Sequence, residues 1–320
     1  MKTLLVIVNP RASSVSPAAR DAVSPVLRRR FHVDFVNTQD RRHATELARQ
    51  GAIDGYDAVV AFGGDGTINE VANGLAGTGT PIGCLPGGAT NVYCRMLRIP
   101  HDLTAASERL VSALETRPPV ALDLGRCNDR YFVFSAGVGL DASVVERVDR
   151  HPQWKARLGP WFFTAMALRT FFGEYVNAPP RLRCVGWGQG AHAGPEIHAR
   201  PAALIEHGVS VFVQNGRPYT YLGSVPIDLA PDAGLQSRSL AGAVLEATRP
   251  AESFGVLWRA LGTRRRADDH PRVRSFSAVT KLEVSSIDGP PVPVQVDGDH
   301  IGSERAVTFA VEPAALRALV

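Results

Sequence analysis

A chain of 320 residues with 45% apolar and 21% charged composition carries enough apolar material for two soluble domains and excludes a collagen-like or disordered protein. Its formal charge of +4 suits an anionic partner such as a nucleotide, a phospholipid surface or nucleic acid, but is too small to choose among them. Cys84, Cys94, Cys127 and Cys184 lie far apart without a CxxC pair or a His/Cys cluster, which argues against zinc and for reduced, packed thiols.

In chain order, strand-like runs at TLLVIV (3–8), FHVDFV (31–36), DAVVAF (57–62) and PIGCLP (81–86) alternate with stretches of helical spacing. Consecutive βα units predict a parallel sheet with helices on both faces and ligands beyond the carboxyl ends of the strands. NPRASS, GGDGT and PGGATN fall at three of those ends. TLLVIV stops at Asn9-Pro10, short of a secretory core, and no run reaches the roughly 18–20 residues of a membrane span, so a cytoplasmic chain is expected. After about residue 122, RYFVFSAG (130–137), GVSVFVQNG (208–216), TKLEVSSI (280–287) and RAVTFAVEP (305–313) predict an antiparallel sandwich. One helical stretch, 154–175, interrupts them, and RRRADDH (264–270) reads as a solvated loop. The fold class is therefore α/β plus all-β. Its expected parts are a parallel-sheet domain over 1–122, a β-sandwich domain over 123–304, and a segment 305–320 that could return to the first domain.

Gly63, Gly64 and Gly66 permit positive φ and close approach of a ligand to the backbone. Thr67 and Glu70 have the spacing of a capping box, and Ile68, Val71, Ala72 and Leu75 give the apolar stripe of a helix expected to begin at Thr67. Its free N–H groups and positive dipole end would face the glycine loop, which suits phosphate. A carboxylate at Asp65 is repelled by phosphate unless a cation, water or hydroxyl intervenes, and Mg²⁺ commonly uses one or two carboxylates plus substrate phosphates. The alternative is a tight turn whose Asp bonds nearby backbone N–H groups. Asn9, Ser13 and Ser14 in the first turn, and Gly87, Gly88, Thr90 and Asn91 in the third, are weak signals singly and reinforce one another by placement.

These motifs resemble the diacylglycerol kinase and related lipid kinase family. The matching stretches are NPRAS (9–13), GGDGTINEVANGL (63–75), PGGATNVYCR (86–95), LDLG (122–125), AGVGLDASVV (136–145), NGRPYTYLGSVPIDLAPDA (215–233) and VQVDGD (294–299). GGDGT alone is shared with NAD kinases and phosphofructokinases, so NAD phosphorylation stays as a third reading. The resemblance implies a nucleotide-binding domain, a β-sandwich domain, a site in the cleft between them, and ATP- and Mg²⁺-dependent phosphorylation of a lipid hydroxyl. It further implies that residues 63–67, Asn9 and Asn91 line the nucleotide side, that Asp123 lies near the metal, and that Asp297 and Gly298 match a segment near the cleft.

One departure bears on activity. After AP.A the family carries an Asp that accepts the acceptor proton, whereas this chain reads APDAGLQSRSLAG (230–242), with Gln236 at that position and Arg238 where Gly is expected. Glutamine cannot serve as a base, and general-base catalysis contributes about 10²–10⁴ in rate. Asp232 or Asp228 would substitute only if the alignment slipped. Two readings follow: an active lipid kinase, and an impaired relative that binds nucleotide or lipid.

Trp154, Trp161, Phe162, Phe163, Phe171 and Phe172 with Lys155, Arg157 and Arg169 suit a membrane interface or an acyl pocket, with core packing as the alternative. Arg28 to Arg30 and Arg264 to Arg266 are charge runs that could meet anionic headgroups. The expected partners are a lipid substrate and an anionic membrane surface contacted peripherally, with a homodimer left open and no nucleic-acid motif. NPRASS lacks the glycines of a dinucleotide-binding turn, and no HExxH or G-x-S-x-G is present, so dehydrogenase, metalloprotease and hydrolase readings have no support.

Overall fold

The computed structural model describes residues 1–151, 153–154, 160–176, 178–188, 204–246, 252, 259, 270–287 and 289–320. The chain divides into two compact units, Met1–Leu124 with Pro313–Val320, and Gly125–Glu312.

The first unit runs β1 (Thr3–Val8), α1 (Pro17–Arg28), β2 (His32–Asn37), α2 (His43–Ile53), β3 (Ala58–Gly63), α3 (Asp65–Leu75), β4 (Ile82–Pro86), α4 (Val92–Met96), α5 (Leu103–Thr116) and β5 (Val120–Cys127), whose last residues belong to the second unit. The first four strands are parallel in the order β4-β3-β1-β2. β3 and β4 are buried throughout, which is why they read as unbroken apolar runs rather than alternating ones. α1 starts where Ser16 Oγ accepts from the Ala19 amide and Pro17 presets the first turn. Asp102 caps α5 in the same way through Ala105.

The second unit contains β6 (Arg130–Phe132), β7 (Ser135–Gly139), α6 (Leu140–Asp149), α7 (Pro160–Thr170), a π-helical turn (Phe171–Tyr175), β8 (Leu182–Gly188), β9 (Leu204–Gly208), β10 (Ser210–Gln214), β11 (Thr220–Leu222), β12 (Val225–Ile227), β13 (Leu240–Leu245), β14 (Val273–Ser286), β15 (Val292–Val296), β16 (Asp299–Glu304) and β17 (Ala306–Ala318). Antiparallel pairing follows the order β16-β15-β7-β10-β13-β14-β17. The first half of β14 pairs β13 and the second half pairs β8 and β17, with the change of partner near Ala278 at φ 56°. The core includes Phe132, Val138, Val211, Val213, Leu282, Val294 and Phe309, with Phe132 edge-on to Phe309 at 6.3 Å. The end of β17 returns to the first unit, where Ala318 pairs Ile82 in parallel.

Three local expectations are corrected. α3 begins at Asp65 behind Gly64, not at Thr67, and Ile68 N–H donates to the Gly64 carbonyl at 3.1 Å. Glu70 closes no capping box, because its carboxylate accepts the amides of Arg42 at 3.0 Å and Ala44 at 3.2 Å at the start of α2. RYFVFSAG is two strands, because Asp297 takes the amides of Val133, Phe134 and Ser135. The four cysteines are buried and free, and burial pushes the Cys127 and Cys184 thiols up to about 12. No helix among the described residues is long and apolar enough to cross a membrane. Lys155, Arg157 and Arg264 to Arg266 lie outside the described residues.

Candidate active site

The three turns predicted to meet at the strand ends of the first unit do meet. Asn9 Nδ2 donates to Thr67 Oγ1 at 3.0 Å, Ser14 N–H donates to the Gly87 carbonyl at 2.9 Å, and Gly87 N–H donates to the Gly63 carbonyl at 2.9 Å. Asn91 closes its own turn, accepting from Gly88 N–H at 2.8 Å and donating to the Gly88 carbonyl at 2.7 Å. Ser13 is exposed, while Gly66 and Thr90 are half-buried.

The glycines serve close approach rather than left-handed backbone. Gly63, Gly64, Gly66, Gly87 and Gly88 are absent from the positive-φ positions, and Gly64 has φ −86°. A Cβ on Gly88 would lie 2.7 Å from Gly64 Cα, and one on Gly87 would lie 2.9 Å from Gly63 Cα. The second and third turns are thus packed backbone to backbone. The first-turn amides of α3 have no acceptor within the helix, so this end of the unit offers donors and a positive dipole to an anion.

Asp65 turns part of its capacity inward. Its Oδ2 accepts from Val92 N–H and its Oδ1 from Tyr93 N–H, both at 3.0 Å, so it caps α4 from another element. Asn91, the residue before α4, stands at φ 49° and makes no side-chain cap itself. The alternative weighed from sequence, an Asp that bonds backbone amides, therefore describes Asp65, with amides from the neighbouring turn rather than its own. The side chain is half-buried rather than sealed. Among the described residues no three His, Cys, Asp or Glu side chains cluster as metal ligands. A Mg²⁺ here fits only with one carboxylate and most of its shell from phosphate and water, which is the habit of that ion.

Asp123 is buried and its Oδ1 accepts the Ala314 amide at 2.9 Å, where Ala314 stands at φ 53°. That contact pins the irregular return of β17. Asp297 is a second buried carboxylate held by main chain. Its two oxygens take three buried amides, from Val133 at 2.7 Å, Phe134 at 2.9 Å and Ser135 at 3.0 Å, and it sits at φ 47° before Gly298 at φ 81°. A carboxylate so occupied braces the second unit. Gly298 N–H donates to Gln295 Oε1 at 2.9 Å.

In the acceptor segment, Gln236 is exposed and Arg238 stands at φ 54°, the left-handed region that favours glycine. The backbone thus has the form of the glycine that the resemblance expects at 238, which supports the register placing Gln236 at the base position. Asp228 is engaged by Arg217 Nη2 at 2.6 Å. Asp232 is exposed and lines a pocket of about 70 Å³ with Ser275 and Ser277.

A buried polar cluster in the second unit was not singled out from sequence. Asp141 accepts hydrogen bonds from Tyr219 Oη and, at 2.9 Å, from Gln295 Nε2. Burial pushes the Asp141 carboxyl above its ordinary value, while Tyr219, Gln295 and the amides of Ala142 and Asp141 pull it down. Its only local signal is Gly137, whose absent Cβ would lie 2.0 Å from Asp141 Oδ2.

The diacylglycerol kinase catalytic domain family matches residues 3–126. A diacylglycerol kinase of Bacillus subtilis strain 168 is 40% identical over 99 residues, covering 30% of this chain and 31% of the relative. One from Staphylococcus aureus strain bovine RF122 / ET3-1 is 26% identical over 284 residues, covering 88% of this chain and 80% of the relative. Relatives at 30–40% identity are thus spanned over only a third to a half of their length, 51% in a Streptococcus pneumoniae protein. A crystal structure of a diacylglycerol kinase from Bacillus anthracis str. Sterne superposes with a TM-score of 0.71 at 20% identity, over 99% of this chain and 96% of that one, which establishes the shared two-domain fold. The catalytic-domain match over residues 3–126 falls on the joined turns, and the likeness to diacylglycerol kinases extends along most of the chain.

Proposed function

We propose that the chain is a lipid kinase that transfers the γ-phosphoryl group of ATP to the hydroxyl of a diacylglycerol-like lipid. The observation that carries this reading is the joined set of turns: the α3 N-terminus, Thr67 held by Asn9, and the Gly63–Gly64 backbone packed on Gly87–Gly88. Donors fixed before substrate arrives are what phosphoryl transfer asks of a protein, since that reaction is driven mainly by positioning and charge stabilisation. The first-turn amides of α3 would hold phosphate oxygens, and Asp65, held by the amides of Val92 and Tyr93, would orient the site. Mg²⁺, when bound, supplies neutralisation of the phosphate oxygens beside Asp65. Exposed Trp154, Leu168, Arg169 and Phe172 favour peripheral contact with an anionic membrane, checked by salt-sensitive sedimentation with anionic but not neutral vesicles.

A second reading, an impaired family member, rests on Gln236 and on Arg238 at φ 54°. The test of both is Mg-ATP-dependent phosphate transfer to diacylglycerol, monoacylglycerol, sphingoid and phosphatidylglycerol acceptors, run beside Gln236→Asp. Transfer by the unmodified chain, raised about 10²-fold or more in the variant, is expected. Activity in the variant alone supports the impaired reading, and activity in neither overturns the lipid-kinase reading.

A further inference from the structure

The buried Asp141 cluster connects elements that the proposed reaction needs held together. Asp141 lies in the first turn of α6, and its carboxyl occupies the space above Gly137 on β7. Gly137 pairs with Phe212 on β10 and Gln295 on β15, so the carboxyl stands where a cross-strand side chain would otherwise sit. The residue is half-buried overall, but its Oδ1 is sealed from solvent outside any well-formed hydrogen bond. Oδ2 accepts from Tyr219 Oη and Gln295 Nε2, and Gln295 Nε2 lies 2.8 Å from Tyr219 Oη, closing a three-membered ring of contacts.

Tyr219 transmits this anchorage. Its ring meets Phe212 edge-on at 5.6 Å, its N–H donates to the Ile227 carbonyl at 2.9 Å across the β11–β12 hairpin, and it packs on Leu229. Leu229 N–H in turn donates to Gln214 Oε1 at 3.2 Å, and Ala230 and Ala233 pack against Ala241 of β13. Residues 228–238, with Gln236 and Arg238 at their end, hang from that short ladder of contacts.

We propose that Asp141 is a positioning residue for the acceptor-activating segment: by holding Tyr219 beside Gln295 it fixes the β11–β12 hairpin and the loop that carries position 236. The importance of position 236 rests on the lipid-kinase reading; the mechanical link does not. Asp141 reaches its effect through Tyr219 and contacts no reacting group.

The test is amide hydrogen exchange of the full chain as wild type, Asp141→Ala, Asp141→Asn and Tyr219→Phe, with transfer kinetics for the Asp141 changes in a Gln236→Asp background. Losing one buried partner corresponds to about a tenfold change, so the Tyr219 and Leu229 amides should exchange roughly tenfold faster in the Ala and Phe variants. Asp141→Asn keeps the acceptor and should restore protection, and the interior amides of β10 should stay within about twofold throughout. kcat should fall about tenfold in Asp141→Ala with KM for ATP unchanged, and recover in Asp141→Asn. Unchanged exchange in 219–229, or equal acceleration in β10, overturns the proposal. If Asp141→Ala does not fold, Tyr219→Phe decides alone. If no protein transfers phosphate, the lipid-kinase reading fails while the exchange pattern still decides the role of Asp141.

Discussion

Asp65→Ala separates a carboxylate that serves a ligand from one that serves the backbone. In the folded protein Asp65 gives both oxygens to the amides of Val92 and Tyr93, two residues only 3% and 1% exposed. Removing it leaves two donors with little access to water at a helix start that has no side-chain cap of its own. A charge-assisted bond is worth about 1.5–3 kcal/mol and a lost N-cap about 0.5–2 kcal/mol. Because Asp65 is half-exposed, the lower part of each range applies, giving roughly 2–4 kcal/mol in all. At about 2–4 °C per kcal/mol for a domain of this size, Tm should fall by roughly 4–16 °C. Asp65→Asn keeps one acceptor and loses the charge, so about half that fall is expected. Thermal unfolding by circular dichroism measures the loss, and exchange of the Val92 and Tyr93 amides locates it. Calorimetry with Mg-ATP and metal-free ATP then reads the ligand side separately. An Asp65→Ala protein with unchanged Tm and unchanged protection at Val92 and Tyr93 would refute the capping argument and return the carboxylate wholly to metal and nucleotide.

Gly88→Ala should force the second and third turns apart, because the new Cβ would meet backbone at Gly64 Cα, 2.7 Å away, rather than a yielding side chain. Overpacking of this kind costs about 1–3 kcal/mol, and calorimetry should show weakened nucleotide binding alongside a lower Tm. Asp297→Ala leaves three buried amides without their acceptor and should destabilise by about 3 kcal/mol or more in denaturant titration, while nucleotide affinity of the protein that remains folded is unchanged. The raised pKa of Asp141 means the folded state holds its proton above pH 3.8, where the unfolded chain begins to release it. Its contribution is therefore fully present below that pH and is lost as pH rises toward the folded value. Asp141→Asn should flatten the decline of Tm across that window, and parallel Tm curves for the two proteins would count against a buried neutral carboxyl.

Much of the first unit was legible because its strands are buried on both faces. A strand such as Ala58–Gly63, with every residue buried, advertises itself as a continuous apolar run, and the turns at its end follow from the topology. The meeting of Asn9, Gly63, Thr67, Gly87 and Asn91 was legible for the same reason: parallel strands put their carboxyl ends side by side. The reason for the glycines was not legible, since close backbone approach and positive φ leave the same letter in the sequence. Helix starts failed where the cap comes from elsewhere. Gly64 has no side chain to announce the start of α3, Glu70 spends itself on α2, and α4 takes its cap from Asp65. The Asp141, Tyr219 and Gln295 cluster draws on positions up to 154 residues apart, and no local pattern marks such a set.

Three acidic residues expected around nucleotide and metal, and one expected in a capping box, accept main-chain amides: Asp65 from α4, Asp123 from the return of β17 and Asp297 from the β6–β7 turn, and Glu70 from α2. This bears directly on how a lone carboxylate can stand beside a phosphate cradle. A carboxylate with both oxygens on N–H groups has part of its charge offset by their dipoles, and here those N–H groups begin another helix, whose positive end adds to the offset. Repulsion of an incoming phosphate is reduced before any metal arrives. On the proposed function, the first-turn amides of α3 would act on the phosphate from the same loop that Asp65 stiffens from behind. On that same proposed function, the acid at position 65 would contribute twice, once by fixing the third turn against the second and once by facing the ligand. A single substitution therefore perturbs stability and nucleotide binding together, and only the pairing of exchange at Val92 and Tyr93 with calorimetry resolves the two.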